Sequence, residues 1–331
     1  MAPTFSVLMA AYNAETTIAE ALNSLLAQTR GDWEAIVVDD GSADATLTIA
    51  SAYAKRDSRF TVLSKTNGGT ASARNLAARH ASGSLFSLLD ADDLYLPHYF
   101  EHMGGFIDEH PGYEIYSSSG LCFRAGEEAW PDEFPENDRI RSYEVEDMLV
   151  QNRFSVHSLF RRSAFDLVGG FDEDPRMVNE DHCFWLTAML RGARHIHNPE
   201  RLWMYRRSEG QKTSDPVLFN RAGVFLLDGL LKRGEISGSR ARIARVARRN
   251  LIRWGRLLEA RRGREQLEQQ LMHGDLEGAR RAYLASRRAY GSIIKYAVGL
   301  PVMLVSPQIF ARLTSLIVAR PSGSDERSDR F

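Results

Sequence analysis

The chain sets apolar runs of strand length against stretches of helical spacing, in strict alternation, through its first ninety or so residues. The runs are residues 5–10, 34–38, 60–63 and 84–89. Between them lie Ile18, Leu22, Leu25 and Leu26, then Thr46, Ile49, Ala50 and Tyr53, then Ala73, Leu76, Ala77 and His80, each set spaced to share one helix face. Parallel strands need a helix-length crossover, so this alternation predicts an α/β fold with a mostly parallel sheet flanked by helices. Ligands of such sheets bind beyond the carboxyl ends of the strands. The polar signals fall there: Tyr12 after the first run, Asp39 and Asp40 at the end of the second, Gly68 and Gly69 after the third, Asp90 to Asp93 after the fourth.

The last of these carries the most chemistry. Asp90, Asp92 and Asp93 put three carboxylates within four residues at the exit of an apolar run. In a poorly solvated pocket they would repel one another unless a cation neutralised them. Oxygen ligands suit a hard divalent ion, Mn²⁺ or Mg²⁺, that also binds phosphate oxygens. The competing reading is a solvated acidic turn that caps the helix starting near Pro97. Convergence of four loops on one rim favours the metal and phosphate. Gly68 and Gly69 let a backbone approach a ligand closely, or merely make a tight turn, and Arg74 in the following helix can face a diphosphate. No G-x-G-x-x-G follows the first run and no G-x-x-x-x-G-K-[ST] occurs, which argues against a dinucleotide-binding domain or a P-loop NTPase.

Composition sets bounds on the rest. At 331 residues and 44% hydrophobic content the chain can fill a sizeable core. Two cysteines, Cys122 and Cys183, are too few for a disulfide framework, which fits a reducing compartment. Four residues precede the first strand-like run, leaving no room for a signal peptide, and a cytoplasmic location is expected.

Residues 5 to about 210 resemble a family 2 glycosyltransferase of the GT-A fold and bacterial surface-glycan type. The resemblance rests on Ala10-Ala11-Tyr12-Asn13, Val38-Asp39-Asp40-Gly41-Ser42, Asn67-Gly68-Gly69 with Ala73-Arg74-Asn75, and Leu89-Asp90-Ala91-Asp92-Asp93. It implies that Ala10 and Tyr12 pack around the donor nucleoside, that Asp40 hydrogen-bonds its base, and that Gly69 and Arg74 lie at the nucleotide. It places Asp90 near the donor ribose and sugar, and makes Asp92 the metal ligand.

Downstream, residues 113–117 and 155–162 read as strands, and residues 125–143, rich in Glu, Asp and Pro, as a mobile lid. Asn179-Glu180-Asp181-His182 opens a helix that stops at Gly192. An acidic pair there is often only a favourable dipole partner. The resemblance implies more: Glu180 and Asp181 open the acceptor-site helix, and Asp181 is the catalytic base. Direct displacement at an anomeric carbon needs a carboxylate opposite the leaving diphosphate, with a metal on that diphosphate. The resemblance supplies no second carboxylate to act as nucleophile, so it implies inversion. Residues 202–207 resemble the Tyr-Arg strand that closes the catalytic domain, bringing Trp203, Arg206 and Arg207 to the acceptor side or the diphosphate. Where relatives carry a histidine this chain has Ser208 to Lys212, so Lys212 or Arg207 is expected to compensate electrostatically. His157, His182, His195 and His197 lack metal-ligand spacing and read as structural, and Cys183 as a packed residue.

Beyond Pro216 helical signals take over. Residues 240–264 hold ten Arg against one acid, Glu259, with Ile243, Val246, Leu251, Trp254 and Leu258 expected on one face. Such a helix lies on an anionic membrane surface or packs internally; nucleic acid binding is not expected, for want of a recognition motif. Residues 296–305 are the most apolar stretch, far short of the about 20 residues that span a bilayer, so residues 290–319 read as an interfacial segment or a homo-oligomer contact. The chain thus divides into a catalytic domain over residues 1–215, donor half to 110 and acceptor half after it, a helical region over 216–320, and a disordered tail over 321–331. The expected activity is metal-dependent transfer from a nucleotide-diphosphate sugar, UDP-linked, to a hydroxyl of a lipid-linked or nascent glycan at the inner membrane face. A sugar-nucleotide pyrophosphorylase and a non-catalytic nucleotide-sugar or glycan-binding module are the alternatives.

Overall fold

The structure, a computed structural model, describes residues 3–281 apart from 125, 132–137, 209–214, 274, 276, 279 and 280. The apolar stretch at 290–319 and the polar tail therefore lie outside the described residues, as do Lys212 and part of the expected lid. The chain forms two compact units, residues 1–248 and a second starting at Arg249.

The repeated units fold as the sequence spacing predicts. In order they are β1 (Phe5–Ala11), α1 (Ile18–Leu26), β2 (Trp33–Asp39), α2 (Thr46–Arg56), β3 (Phe60–Ser64), α3 (Thr70–His80) and β4 (Leu85–Leu88). These strands pair in parallel in the order β3-β2-β1-β4. Register does the positioning. Ala11 lies opposite Asp39, Asp39 opposite Ser64, and Leu8 opposite Leu88, so the loops after all four strands emerge at one level. Both faces of β1 and β2 are buried, which is why these strands read as unbroken apolar runs rather than alternating ones.

The other half of the sheet is mixed. It comprises β5 (Leu94–Tyr95), α4 (Tyr99–Glu109), β6 (Ile115–Phe123), β7 (Trp130–Pro131), α5 (Val145–Val150), β8 (Leu159–Arg161), α6 (Arg162–Val168), α7 (Glu180–Leu190) and β9 (His195–Arg206). β8 runs antiparallel to both β4 and β6, β6 parallel to β9, and β5 antiparallel to β9, which extends the order to β8-β6-β9-β5, with β7 on the edge of β6. The close approach of β6 and β9 depends on Gly120, because a Cβ there would sit 2.2 Å from the Trp203 ring.

One expectation is corrected, and the packing of the last helix is added. Residues 155–162 form a strand only from Leu159, because Ser155 to Ser158 fold into a tight turn in which Ser158 N donates to Val156 O at 2.7 Å. The chain then leaves the sheet at once as α6. The C-terminal helices α8 (Pro216–Lys232) and α9 (Gly238–Met272) form, but α9 buries Ala241, Ala244 and Ala247 and leaves Val246 and Trp254 exposed, at 46% and 58%. Small side chains spaced by three pack closest, so the alanine stripe rather than the larger apolar residues faces inward.

Candidate functional site

A cavity of about 970 Å³ lies beyond the carboxyl ends of the parallel strands. Ala10, Tyr12, Asp40, Gly69, Arg74, Asp90 and Asp92 line it, together with Glu180, Asp181, Trp203, Arg206 and Arg207. Every site residue expected from sequence within the described residues borders this one space.

The glycine loop is fixed by Asp40. Its Oδ1 accepts from Gly68 N at 3.0 Å and Lys65 Nζ at 2.7 Å, and its Oδ2 accepts from Gly69 N at 2.7 Å. Gly69 makes its bond at φ +88°, a conformation that favours glycine. Asn13, at φ +47°, ties the first loop to the second by receiving from Ala43 N and donating its own N–H to Ser42 Oγ. Tyr12 stands at the rim with 54% of its surface exposed.

Arg74 links Asp90 to Glu180. Its guanidinium is buried, Nη2 donating to Asp90 Oδ1 at 2.5 Å and Nη1 to Glu180 Oε1 at 2.7 Å. Burial pulls its pKa down, but the Asp90, Glu180 and Asp181 charges outweigh this and leave it raised. Burial pushes Glu180 up to about 7, with Arg74 pulling it down and Asp181 pushing it further up. Asp181 Oδ2 accepts from Asn152 Nδ2 at 3.3 Å.

The acid turn separates into roles. Asp90, Asp92 and Asp93 can bring carboxylate oxygens within 4.8 Å of one another, but Asp93 is fully buried and both its oxygens are engaged. Oδ1 accepts from Arg206 N and Oδ2 meets His157 Nε2, each at 2.8 Å. Burial pushes its carboxyl up to about 6, against the pull of His157. Asp93 is thus an anchor for the turn, and the oxygens fit to hold a hard divalent cation are those of Asp92 together with the Asp90 oxygen not held by Arg74. Arg206 steadies the same turn, its Nε donating to Asp92 O at 2.8 Å and its Nη2 to Glu20 Oε2 at 2.6 Å. Trp203 is buried with its ring stacked on His157, and the Arg207 guanidinium lies 4.8 Å over the Tyr205 ring.

Sequence spacing missed three of these links. Arg74 is a strut between Asp90 and Glu180, and the contacts of Asn152 with Asp181 and of His157 with Asp93 were not foreseen. The sequence trace of the last two is polar residues at and just before the run that read as a strand, Asn152 ahead of it and Ser155 and His157 within residues 155–162. The other histidines are satisfied internally, His182 Nε2 on Met148 O, His195 Nε2 and His197 Nδ1 on Ser117 Oγ. Cys183 is packed, its thiol pushed up to about 12 by burial.

A half-parallel, half-mixed sheet with an acid turn, a glycine loop and a wide cavity across its strand ends has the GT-A nucleotide-diphospho-sugar transferase fold. Solved structures share it. The mannosyltransferase PcManGT from Pyrobaculum calidifontis, in complex with GDP-Man and Mn²⁺, aligns at TM-score 0.59 and 19% identity over 96% of this chain and 87% of that one. S. aureus TarS 1-349, in complex with UDP-GlcNAc, aligns at 0.59 and 20% identity over 86% and 92%. The model for glycosyl transferase family 2 matches residues 6–169. Putative glycosyltransferase EpsE of Bacillus subtilis (strain 168) is 31% identical over 211 residues, covering 62% of this chain and 73% of that one. Uncharacterized glycosyltransferase EpsJ of the same strain is 32% identical over 229 residues, covering 65% and 64%, so the chain spans just under two thirds of EpsJ. The chain belongs to glycosyl transferase family 2.

Proposed function

We propose that the chain is an inverting, metal-dependent glycosyltransferase that moves a sugar from a UDP-linked donor to a hydroxyl of a lipid-linked or nascent surface glycan. The observation that carries this reading is the cavity shared by Asp92 and Asp181, with Arg74 tying the turn of one to the helix of the other. Neighbours in the fold bind UDP, UDP-GlcNAc and GDP-Man with Mn²⁺, and a further relative is named a minor teichoic acid biosynthesis protein.

Tyr12 and Ala10 border the nucleoside position, and Asp40, with three of its roughly four lone-pair sites engaged by the loop, keeps one for the base. Asp92 and Asp90 would hold Mn²⁺ or Mg²⁺, which would supply charge stabilisation for the departing diphosphate. Asp181, oriented through Oδ2 by Asn152, takes the proton of the attacking hydroxyl on its other oxygen. Arg207 and Lys212 complement the diphosphate charge, Lys212 from outside the described residues. No other carboxylate is assigned a nucleophile's role, so one displacement inverts the anomeric centre.

Among the described residues no helix is long and apolar enough to cross a membrane. The arginines of α9, with Trp254 and Leu257 exposed, support peripheral binding at the anionic inner face. The catalytic domain is assigned to residues 1–215 and the helical region to the part after it.

Asp181→Asn tests the base. Transfer should fall by about 10²–10⁴-fold at unchanged donor KM. Undiminished kcat in a folded variant would remove Asp181 from that role.

A further inference from the structure

A second cavity, of about 310 Å³, is lined by Arg139, Arg141, Ser142, Tyr143, Asp147 and Arg153. The segment that follows α5 borders both cavities, because Gln151, Asn152 and Phe154 line the large one while Arg153 lines the small one. Asn152 is also the residue that donates to Asp181. The second cavity is thus one residue along the chain from the partner of the proposed base.

Its charge is lopsided. Among the described residues that line it three are arginines, and the single acid, Asp147, already accepts from Glu144 N at 2.9 Å in the capping box of α5. A guanidinium stays charged at any working pH, so the excess does not depend on a titration. Two of the three arginines sit on pinned backbone. Tyr143 and Phe154 are both buried and both stack on His195, at 5.5 Å and 4.1 Å, so Arg141, two residues before Tyr143, and Arg153, directly before Phe154, are placed by the same core packing. Arg141 O also accepts from His197 N at 2.7 Å. Exposed aliphatic residues adjoin them in the chain. Ile140, between Arg139 and Arg141, is 53% exposed, and Val150, at the end of α5, is 56% exposed. Arg240, in the first turn of α9, donates to Glu146 Oε1 at 2.9 Å, which sets the start of the arginine-rich helix against α5.

We propose that Arg139, Arg141 and Arg153 form a second phosphate site, sharing no residue with the donor cavity, that holds the phosphate of a lipid-phosphate acceptor. Guanidinium forks match phosphate oxygens two at a time, and three of them against one engaged carboxylate suit a doubly charged group. Ligand cavities run from about 300 to 1,000 Å³, so this one is at the small end, of head-group size. Ile140 and Val150 offer aliphatic surface to the chain that the phosphate carries. The inference rests on the transferase reading above and adds what the acceptor must carry: a phosphate close to the sugar whose hydroxyl reaches Asp181. The three arginines are recognition residues and touch no reacting atom.

The test titrates the full chain by calorimetry with octyl phosphate, glycerol phosphate and octyl glucoside below their micelle concentrations, with UDP and Mn²⁺ saturating so that the donor position is filled. Octyl phosphate should bind, glycerol phosphate about tenfold more weakly for want of the chain, and octyl glucoside not measurably. Arg141→Gln and Arg153→Gln should each weaken octyl phosphate by about 10–100-fold, as expected for a lost charge-assisted hydrogen bond. Arg139→Gln, at an exposed position where folding is not at stake, should weaken it by about twofold to fivefold. In transfer from UDP-sugars, sugars on octyl diphosphate should show an acceptor KM about tenfold or more below the matching octyl glycosides, a gap that Arg153→Gln closes at unchanged donor KM. Folded arginine variants that bind octyl phosphate as wild type does would overturn the proposal, as would equal affinity for octyl and glycerol phosphate. So would diphosphate-linked sugars that are no better acceptors than the plain glycosides. Variants that lose phosphatidylglycerol vesicles but keep the acceptor preference would make the occupant a bilayer head group and overturn it too. A wild type that binds octyl phosphate but consumes no nucleotide sugar would instead count against the transferase reading itself.

Discussion

The loops around Asp40 and Asn13 are held by partners close in sequence, whereas the pairs that tie the acid turn and Arg74 to the rest of the domain reach across more than a hundred residues. Asp40 is engaged by Lys65, Gly68 and Gly69, and Asn13 by Ser42 and Ala43, all within 30 residues. Across the cavity, Arg74 reaches Glu180 over 106 residues, Arg206 reaches Asp93 over 113, and its guanidinium reaches Glu20 over 186. The difference follows from topology. Parallel βα units place successive loops side by side, so each braces the next. The mixed half brings strands back from elsewhere, so the acid turn and Arg74 meet their partners across long stretches of chain. The loops around Asp40 and Asn13 are therefore a local construction, and the braces of the acid turn exist only once the whole domain has closed.

The largest effect that sharpens this contrast is at the Asp90–Asp93 turn, proposed above to hold the metal. Asp92→Asn should cut Mn²⁺-dependent transfer by on the order of a hundredfold or more and abolish the rise in melting temperature that Mn²⁺ gives wild type, with the unfolding free energy in chelator little changed. A variant that keeps both transfer and the Mn²⁺ response would move the metal elsewhere. Next is Arg74→Met. It fills the same space but leaves Asp90 and Glu180 without their shared cation, so stability should fall by about 3–5 kcal/mol in urea unfolding, towards the lower figure because Asp90 is partly solvated. If the loss is below 1 kcal/mol, the long-range pair is not what joins the sides, and the contrast drawn from it fails.

The same contrast explains what could be read from the sequence. Residues 5–90 were legible almost element by element because β1 to β4 are apolar throughout and their helices carry a clear inward face. The loops followed, since parallel topology dictates where they emerge. The start of the Asp181 helix was also legible, while a catalytic role for its acidic pair was suggested only by resemblance, because an acidic pair at an N-terminus has an ordinary dipole explanation. What stayed hidden depends on partners distant in sequence. Arg74 looked free to meet a phosphate; nothing near it in the chain announces Glu180. The run 155–162 looked like a strand because Val156, Leu159 and Phe160 are apolar, while the Ser155 and His157 turn forms against Asp93, a residue 62 and 64 positions earlier in the chain. In α9 the larger apolar residues did not reveal which face is buried, because a close-packed helix contact can prefer alanine.

The smallest effect isolates the acceptor side by pH. Glu180 has its carboxyl pushed up to about 7 by burial, with Arg74 opposing and Asp181 adding to the rise, against an ordinary value of 4.5. A carboxyl whose folded pKa is raised favours folding while protonated, and that contribution is lost as pH rises from the unfolded value through the folded one. Wild type should therefore lose stability between about pH 4.5 and 7 relative to Glu180→Gln, whose amide keeps an oxygen for Arg74 but has no proton to lose. The gap should amount to about 1–3 kcal/mol and be flat above pH 8. Urea unfolding of the two proteins at pH 5 and pH 8 reads it directly. Parallel stabilities at the two pH values would mean that Arg74 already holds Glu180 as a carboxylate throughout, so that the strut between the two sides is a full ion pair rather than a proton-sensitive one.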